Sequence, residues 1–395
     1  MPYDKLRLAI FVSNPIQHEV SLYAALSEDP RLQVKVFYFS KAGLEMQKPY
    51  GLNMEVRHEI PLLNGYDYEF LPNQSPFRKG PISLLNSSIY SLISRKNFDA
   101  VLIYGYYYST CWLAICAARS VGIPILFRGE GESILPRRLW KKLIRRFFLP
   151  WLYRYIDAFL VLGEGNRQHY LEYGVSEKKL FSSPQTVDQD FFMKGPNKSD
   201  SSQLRSTIGF NNNTVLFVYT SKHRIEKRPL DAIKAMCSLP PEVDAGLLML
   251  GDGPLRQEAE EYARIYDTRR RIRFLGYCTL PKMRDYMKIS DVLLLPSIEN
   301  FGTSLHQGIA SELAILCSDQ VVAWLDVVYP GINGLVYRAG WLDALTAHMY
   351  ALGNDRKLVE YLKKGSKKIK SRFSLEISIN GIVEAMQYSK KIIMN

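Results

Sequence analysis

The stretch RIRFLGYCTLPKMRDYMKISDVLLLPSIENFGTSLHQGIA (271–310) decides how this chain reads. RIRFLG (271–276) and DVLLLPS (291–297) are short β-rich apolar runs with a longer helical pattern between them. Continuous apolar strands alternating with helices mark a parallel sheet covered on both faces. The pattern recurs outward. In the second half it includes TVLFVYT (214–220), GLLMLG (246–251) and ELAILCS (312–318). In the first half it includes LRLAIFV (6–12), VKVFYF (34–39), AVLIY (100–104), IPILF (123–127) and AFLVLG (158–163). The expected fold class is therefore α/β, with two doubly wound, Rossmann-like domains facing a cleft.

With 395 residues and 47% hydrophobic content, the chain suits two domains with substantial cores. The polar segment KGPNKSDSSQ (194–203) reads as a linker between domains 1–193 and 204–372. The closing helical segment 373–395 is expected to pack back on the first domain. The five cysteines lack the close pairs of a zinc or redox site and read as reduced thiols. The start MPYDKLRLAIFVSNP enters a strand pattern without the features of an export signal, which predicts a cytoplasmic location. In the most apolar window, Val101–Ala118, the run from Tyr104 to Thr110 reads as a loop between strand and helix, not as part of a membrane span. A net charge of +12 favours acidic partners without choosing among them.

In open parallel sheets, ligands bind beyond the carboxyl ends of strands. After DVLLLPS, the run Glu299, Asn300, Phe301, Gly302, Thr303 and Ser304 leads into a helical pattern. Gly302 allows close backbone approach, and the free N–H groups at a helix start hold a diphosphate. Glu299 is placed to accept hydrogen bonds from sugar hydroxyls. An ordinary capped turn is the competing reading. After TVLFVYT, the loop Ser221–Asp231 is rich in cations, and Lys222 and Lys227 are the candidates for neutralising a leaving diphosphate. A solvated basic loop is the alternative there.

On these residues the C-terminal half resembles the retaining glycosyltransferase family 4, whose members share the GT-B fold. The loop ending in KRPLDAI is similar to the family's Arg…Lys diphosphate motif, with Lys222 in place of the arginine and Lys227 matching the lysine. LMLGDGPLRQEAE (248–260) resembles its Gly-Asp-Gly-Pro turn, and 271–297 the segment that contacts the base, so the resemblance adds Gly251 and Tyr277 to the donor-binding set. Glu299 matches the first glutamate of a Glu-x7-Glu motif, and Gln307 replaces the second, which removes charge assistance at the ribose. Glu312-Leu313-Ala314 also departs from a common Gly-x-Pro turn, whereas Gly331–Val336 fits the family pattern. YGVSEKKLFSSPQTVDQDFF (173–192) and SNPIQHEVSLYAAL (13–26) resemble the family's domain-joining segment and first loop and helix, without the usual Gly-Gly pair.

Two further polar groups are expected to face the cleft. His18, after the first strand, is read either as a base or as part of the helix start. In the loop RGEGE (128–132), Arg128 and Glu130 lie on the acceptor side with Glu130 as the orienting residue, and an internal Arg–Glu pair is the alternative. The catalytic candidates are thus Lys222, Lys227, Glu299, Glu130 and His18.

Asp188-Gln189-Asp190 matches a metal-binding Asp-x-Asp pattern but lies in the domain-joining segment, so Asp188 reads as a turn residue. No metal or other cofactor is expected, and the donor is a nucleoside-diphosphate sugar. No phosphate loop or nucleic-acid-binding motif occurs, so no nucleic-acid partner is expected. From Arg137 to Phe148, cations recur in pairs every four positions, opposite Leu139, Trp140, Leu143, Ile144, Phe147 and Phe148, and Pro150 is expected to end or kink the helix. Either the apolar side packs on the domain, or the helix meets an anionic membrane surface. The resemblance implies a hexosyltransferase acting on a glycan or lipid-linked acceptor in surface polysaccharide or lipopolysaccharide synthesis. A catalytically silent nucleotide-sugar-binding protein and a sugar-nucleotide epimerase remain as alternatives.

Overall fold

In the computed structural model, residues 5–42, 44, 61–131, 139–299 and 302–394 are described. Phe301, Asn300, Glu132, Arg137 and Arg138 lie outside them. The chain divides into two compact units. Of the described residues, the first holds those up to Thr186 together with Ser374–Met394, and the second holds Val187–Phe373.

In the first unit, β1 (Leu6–Val12), β2 (Leu32–Tyr38), β3 (Asp67–Phe70), β4 (Ala100–Tyr104), β5 (Ile125–Arg128), β6 (Ala158–Val161) and β7 (Leu180–Ser182) form one parallel sheet. Its order is β3-β2-β1-β4-β5-β6-β7. In the second unit, β8 (Val215–Thr220), β9 (Ala245–Leu250), β10 (Ile272–Gly276), β11 (Val292–Leu295), β12 (Ala314–Ser318) and β13 (Gly334–Tyr337) are arranged β10-β9-β8-β11-β12-β13. Chain order reverses between β1 and β4 and again between β8 and β11. Helices diverge to opposite faces at such points and leave room for a ligand above the strand ends.

The apolar runs follow from two-sided burial. In β8, Val215, Phe217 and Tyr219 enter one apolar layer, and Leu216 and Val218 enter another. Alternate side chains point to opposite faces, so a strand with both faces covered is apolar along most of its length.

The segment 194–203 is not a linker. Lys198–Thr207 is a helix of the second unit, with the Asn197 side chain accepting from Asp200 N at 2.9 Å. Asn, Ser and Asp are good helix-start residues, which is why the segment imitates a linker. The helix Leu375–Met394 belongs to the first unit, where Ile379, Ile382, Val383 and Met386 join the β1 core layer. At Gly381 this helix approaches β7 so closely that a Cβ would stand 1.7 Å from the Ser182 carbonyl oxygen. Gly381→Ala is expected to destabilise the protein by about 1–3 kcal/mol through overpacking. An unchanged denaturant midpoint would contradict this packing.

Pro150 does not end its helix, which runs from Leu139 to Tyr153. The fully buried Leu149 and Leu152 hold the turn around it. All five cysteines are free thiols, and among the described residues no helix is long and apolar enough to cross a membrane.

Candidate functional site

The loop leaving β8 makes one tight turn at Ile225–Lys227, passes through Arg228 at φ 50°, and starts the helix Pro229–Cys237. Proline suits that first turn because its N–H would have no partner there. The buried Tyr219 hydroxyl gathers the loop, lying 3.3 Å from the Lys222 carbonyl and 3.1 Å from the Lys227 carbonyl. Ile298 N donates to Glu226 O at 2.8 Å, which ties the loop leaving β11 to the one leaving β8. Glu299 is fixed by its own backbone: its N–H donates to Gln320 O at 3.0 Å and its carbonyl accepts from Val322 N at 2.9 Å.

These constraints bring two expected residues together. Lys227 Nζ stands 2.6 Å from Glu299 Oε2. The other carboxylate oxygen, Oε1, is buried without a hydrogen-bond partner among the described residues. A buried unpaired acceptor costs about 1–3 kcal/mol and ordinarily signals a hydrogen-bond donor to come.

Beside this pair begins the helix Thr303–Ala310. Gly302 precedes it at φ 54°, and a Cβ there would lie 2.5 Å from Val321 Cγ1, so glycine is required both by backbone and by space. Ser304, expected on the donor, donates its hydroxyl to Thr220 O at 3.1 Å and so fastens the helix start to the end of β8. Gln307 stands half-buried on the same helix.

A cavity of about 150 Å³ adjoins the β8 end, lined among others by Lys222, Gly251, Asp252, Tyr277 and Cys278. Whole-ligand sites run to about 300–1,000 Å³, so this one has room for only part of such a ligand. Gly251, at φ 127°, is irreplaceable there because a Cβ would meet the Ser221 carbonyl oxygen at 2.1 Å. Burial, with the neighbouring Arg224 and Lys227, pushes the Lys222 amine below the ordinary lysine range. Burial also drives the His223 imidazole down to about 4, so it is neutral, and neither ring nitrogen has a hydrogen-bond partner among the described residues. Its backbone clasps the Gly251–Gly253 turn, donating to Asp252 O and accepting from Leu255 N, each at 2.9 Å.

In the first unit, the structure corrects the expectation for Arg128. It is the last residue of β5, buried, and donates to Ser183 O at 2.9 Å and Ser183 Oγ at 2.7 Å. Its carboxylate neighbour is Glu19, at 3.6 Å, rather than Glu130. Glu19 also accepts from the Tyr104 hydroxyl at 2.9 Å and lies 3.8 Å from His18 Nε2. Thus the helix Gln17–Glu28 and the ends of β4 and β5 converge on a buried carboxylate beside the half-exposed His18. Glu130 is exposed as a residue, yet desolvation of its carboxyl is the largest influence on it. That desolvation, reinforced by Glu19, raises it against the pull of His18 and Arg128.

Sequence reasoning missed Tyr219 and Glu19. Tyr219 carries a polar tip in a largely apolar strand, and Glu19 is a charge on the buried side of a helix. Both could have been noticed as polar atoms in places where burial demands a partner. Asp188 caps the helix Gln189–Met193 by accepting from Phe191 N at 2.8 Å.

The family model described as glycosyl transferases group 1 matches residues 200–369. The chain is 26% identical over 162 residues to N-acetyl-alpha-D-glucosaminyl L-malate synthase from Bacillus anthracis, covering 41% of this chain and 42% of that protein. It is 24% identical over 192 residues to lipopolysaccharide 1,6-galactosyltransferase from Escherichia coli (strain K12), covering 47% and 49%. The matches thus span about half the length of these curated relatives. Anabaena Alr3699/HepE, solved in complex with UDP, superimposes with a TM-score of 0.74 at 16% identity over 97% of this chain and 99% of that one. Residues 200–369 are accordingly similar to the glycosyl transferases group 1, and the two α/β units have the GT-B fold of known glycosyltransferase structures.

Proposed function

We propose that this protein is a retaining hexosyltransferase of family 4 type, moving a sugar from a nucleoside diphosphate to a glycan or lipid-linked acceptor in surface polysaccharide or lipopolysaccharide assembly. The observation that carries the reading is the Lys227–Glu299 pair at the point where strand order reverses, with Glu299 Oε1 left unpaired. Glu299 receives hydroxyls of the donor sugar. Lys222, Lys227 and the N–H groups of the helix Thr303–Ala310 take the growing charge on the diphosphate, and Gly251 and Tyr277 flank the base side. Such preorganised charge stabilisation is commonly the largest catalytic contribution. On the acceptor side, Glu130 and His18 orient the attacking hydroxyl, with Arg128 holding Glu19 beneath them. The match to group 1 glycosyl transferases and the UDP in the Anabaena complex support a nucleotide-sugar donor.

A transfer and donor-hydrolysis assay against UDP-, GDP-, ADP- and dTDP-sugars tests this. Turnover of at least one donor, with retained anomeric configuration in the product, is the expected outcome. Donor binding by calorimetry with neither transfer nor hydrolysis would instead favour a silent binding protein, a reading motivated by Gln307 and Lys222 standing in place of the glutamate and arginine usual at those positions.

The depressed Lys222 amine makes a separate prediction. A bound diphosphate stabilises its charged form and raises it, so binding takes up protons between the depressed value and the raised one, and affinity falls as pH rises through the depressed value. Calorimetry of UDP binding in two buffers of different ionisation enthalpy reads this uptake directly. Lys222→Met should abolish it, and equal uptake in that variant would refute the role.

A further inference from the structure

Residues 70–156 hold thirteen Lys and Arg against three Asp and Glu, which accounts for ten of the chain's net +12 charges. Within this region the helix Leu139–Tyr153 turns an apolar face outward. Leu149, Leu152 and Tyr153 are buried against the first unit's core. Trp140, Leu143, Ile144, Phe147 and Trp151 are exposed, from 48% at Trp151 to 77% at Phe147. Their spacing of three or four residues places them on one stripe. The helix is therefore apolar on two sides, and the domain core covers one of them. Arg146 and Arg154 are exposed beside the stripe.

A second, sequence-distant segment has the same chemistry. Phe77 and Ile82 are exposed, with the exposed Arg78 and Lys79 between them. Both segments flank the helix Ser109–Val121. Trp112 on that helix stacks on Trp151 with ring centroids 6.0 Å apart, and Ser109 Oγ lies 3.4 Å from Pro81 O.

We propose that this face of the first unit docks on an anionic membrane surface. Tryptophan, phenylalanine and aliphatic side chains rimmed by arginine and lysine match the boundary between acyl chains and acidic headgroups. Aliphatic Leu143 and Ile144 at the centre suit hydrocarbon. A second copy of this chain is disfavoured as occupant, because the face would oppose its own cations, whereas an anionic bilayer neutralises them. The inference does not rest on the transferase reading.

The test is co-sedimentation of the full chain with vesicles of phosphatidylcholine alone or mixed with phosphatidylglycerol, in the absence of any nucleotide sugar. Partitioning onto the mixed vesicles is expected to be at least about tenfold stronger than onto neutral ones and to weaken with salt. Leu143→Ser with Phe147→Ser, and separately Arg146→Glu with Arg154→Glu, should each reduce it about tenfold or more, with far-ultraviolet circular dichroism and melting unchanged. Equal partitioning onto both vesicle types, undiminished binding by both folded variants, or a dimer that the Ser variant dissociates would overturn the proposal. A protein that transfers no sugar still passes or fails this measurement.

Discussion

Methionine at Lys227 is expected to lower turnover of the preferred nucleotide sugar by about 100- to 1,000-fold while the protein remains folded, in line with the loss of one preorganised charge-stabilising group. The substitution keeps an apolar stem of similar length and removes the charge 2.6 Å from Glu299. Two things change together. The diphosphate loses a cation that was already in place, and the Glu299 carboxylate loses its partner while Oε1 remains buried and unpaired. Glu299→Gln attacks the same arrangement from the other side, keeping volume and one acceptor but removing the charge. Because the two groups touch, the double variant should fall well short of the product of the single effects. Turnover within a few-fold of the wild type in both singles, with melting unchanged, would remove the pair from the mechanism. A loss of folding is told apart by circular dichroism and by the denaturant midpoint.

The largest effect on stability is expected at Asp291. This buried carboxylate receives Arg205 Nη2 at 2.6 Å, Arg356 at 3.2 Å, Lys363 Nζ at 3.3 Å and the backbone N–H of Leu216 at 3.0 Å. Its own N–H returns a bond to Leu216 O at 2.8 Å, so the start of β11 is locked to β8. The far ends of these strands carry Glu299 and Lys227. Removing the carboxylate by Asp291→Ala strands the buried Arg205 and is expected to cost about 3–5 kcal/mol, read from chemical denaturation. Burial alone would raise this carboxyl, but Lys363, Arg205 and the Leu216 N–H hold it below the ordinary value. A group depressed in the folded state contributes stability above its unfolded value of about 3.9 and loses it as pH falls through the folded one. The wild type should therefore lose stability steeply below about pH 4, and Asp291→Ala should lose less there. Parallel acid profiles would show that the carboxylate carries no such linkage.

The same cluster shows why one boundary was misread. The helix Lys198–Thr207 looks like linker because its polar face is solvated, yet its Arg205 is buried and bonds to Ile289 O, Asn211 O, Asn212 O and Thr214 O besides Asp291. Composition reports the exposed majority of a short helix and misses the one side chain that anchors it. Glu312 shows a related limit. It occupies φ 60°, a conformation that favours glycine, and its carboxylate pairs with Lys370 at 2.6 Å. The departure from a glycine turn was visible in the chain, but the backbone conformation kept in spite of it was not.

What the sequence by itself determined is what depends on local order. Uninterrupted apolar runs separated by helical patterns specify strands covered on both faces, and hence two doubly wound sheets, because each residue's exposure follows from its period along the chain. Strand ends followed by Gly302 and by a lysine-rich loop marked where a ligand could approach. Only the tertiary structure decided the pairings: Lys227 with Glu299, Arg128 with Glu19 and Ser183, and Asp291 with three cations. It also decided that the helix Leu139–Tyr153 shows Phe147 to solvent while Leu149 is buried. An amphipathic pattern states which residues share a face, whereas which face meets the core depends on neighbours dozens of residues away. Charge and hydrogen-bond partners across that distance are chosen by the packing of strands, which no local period encodes.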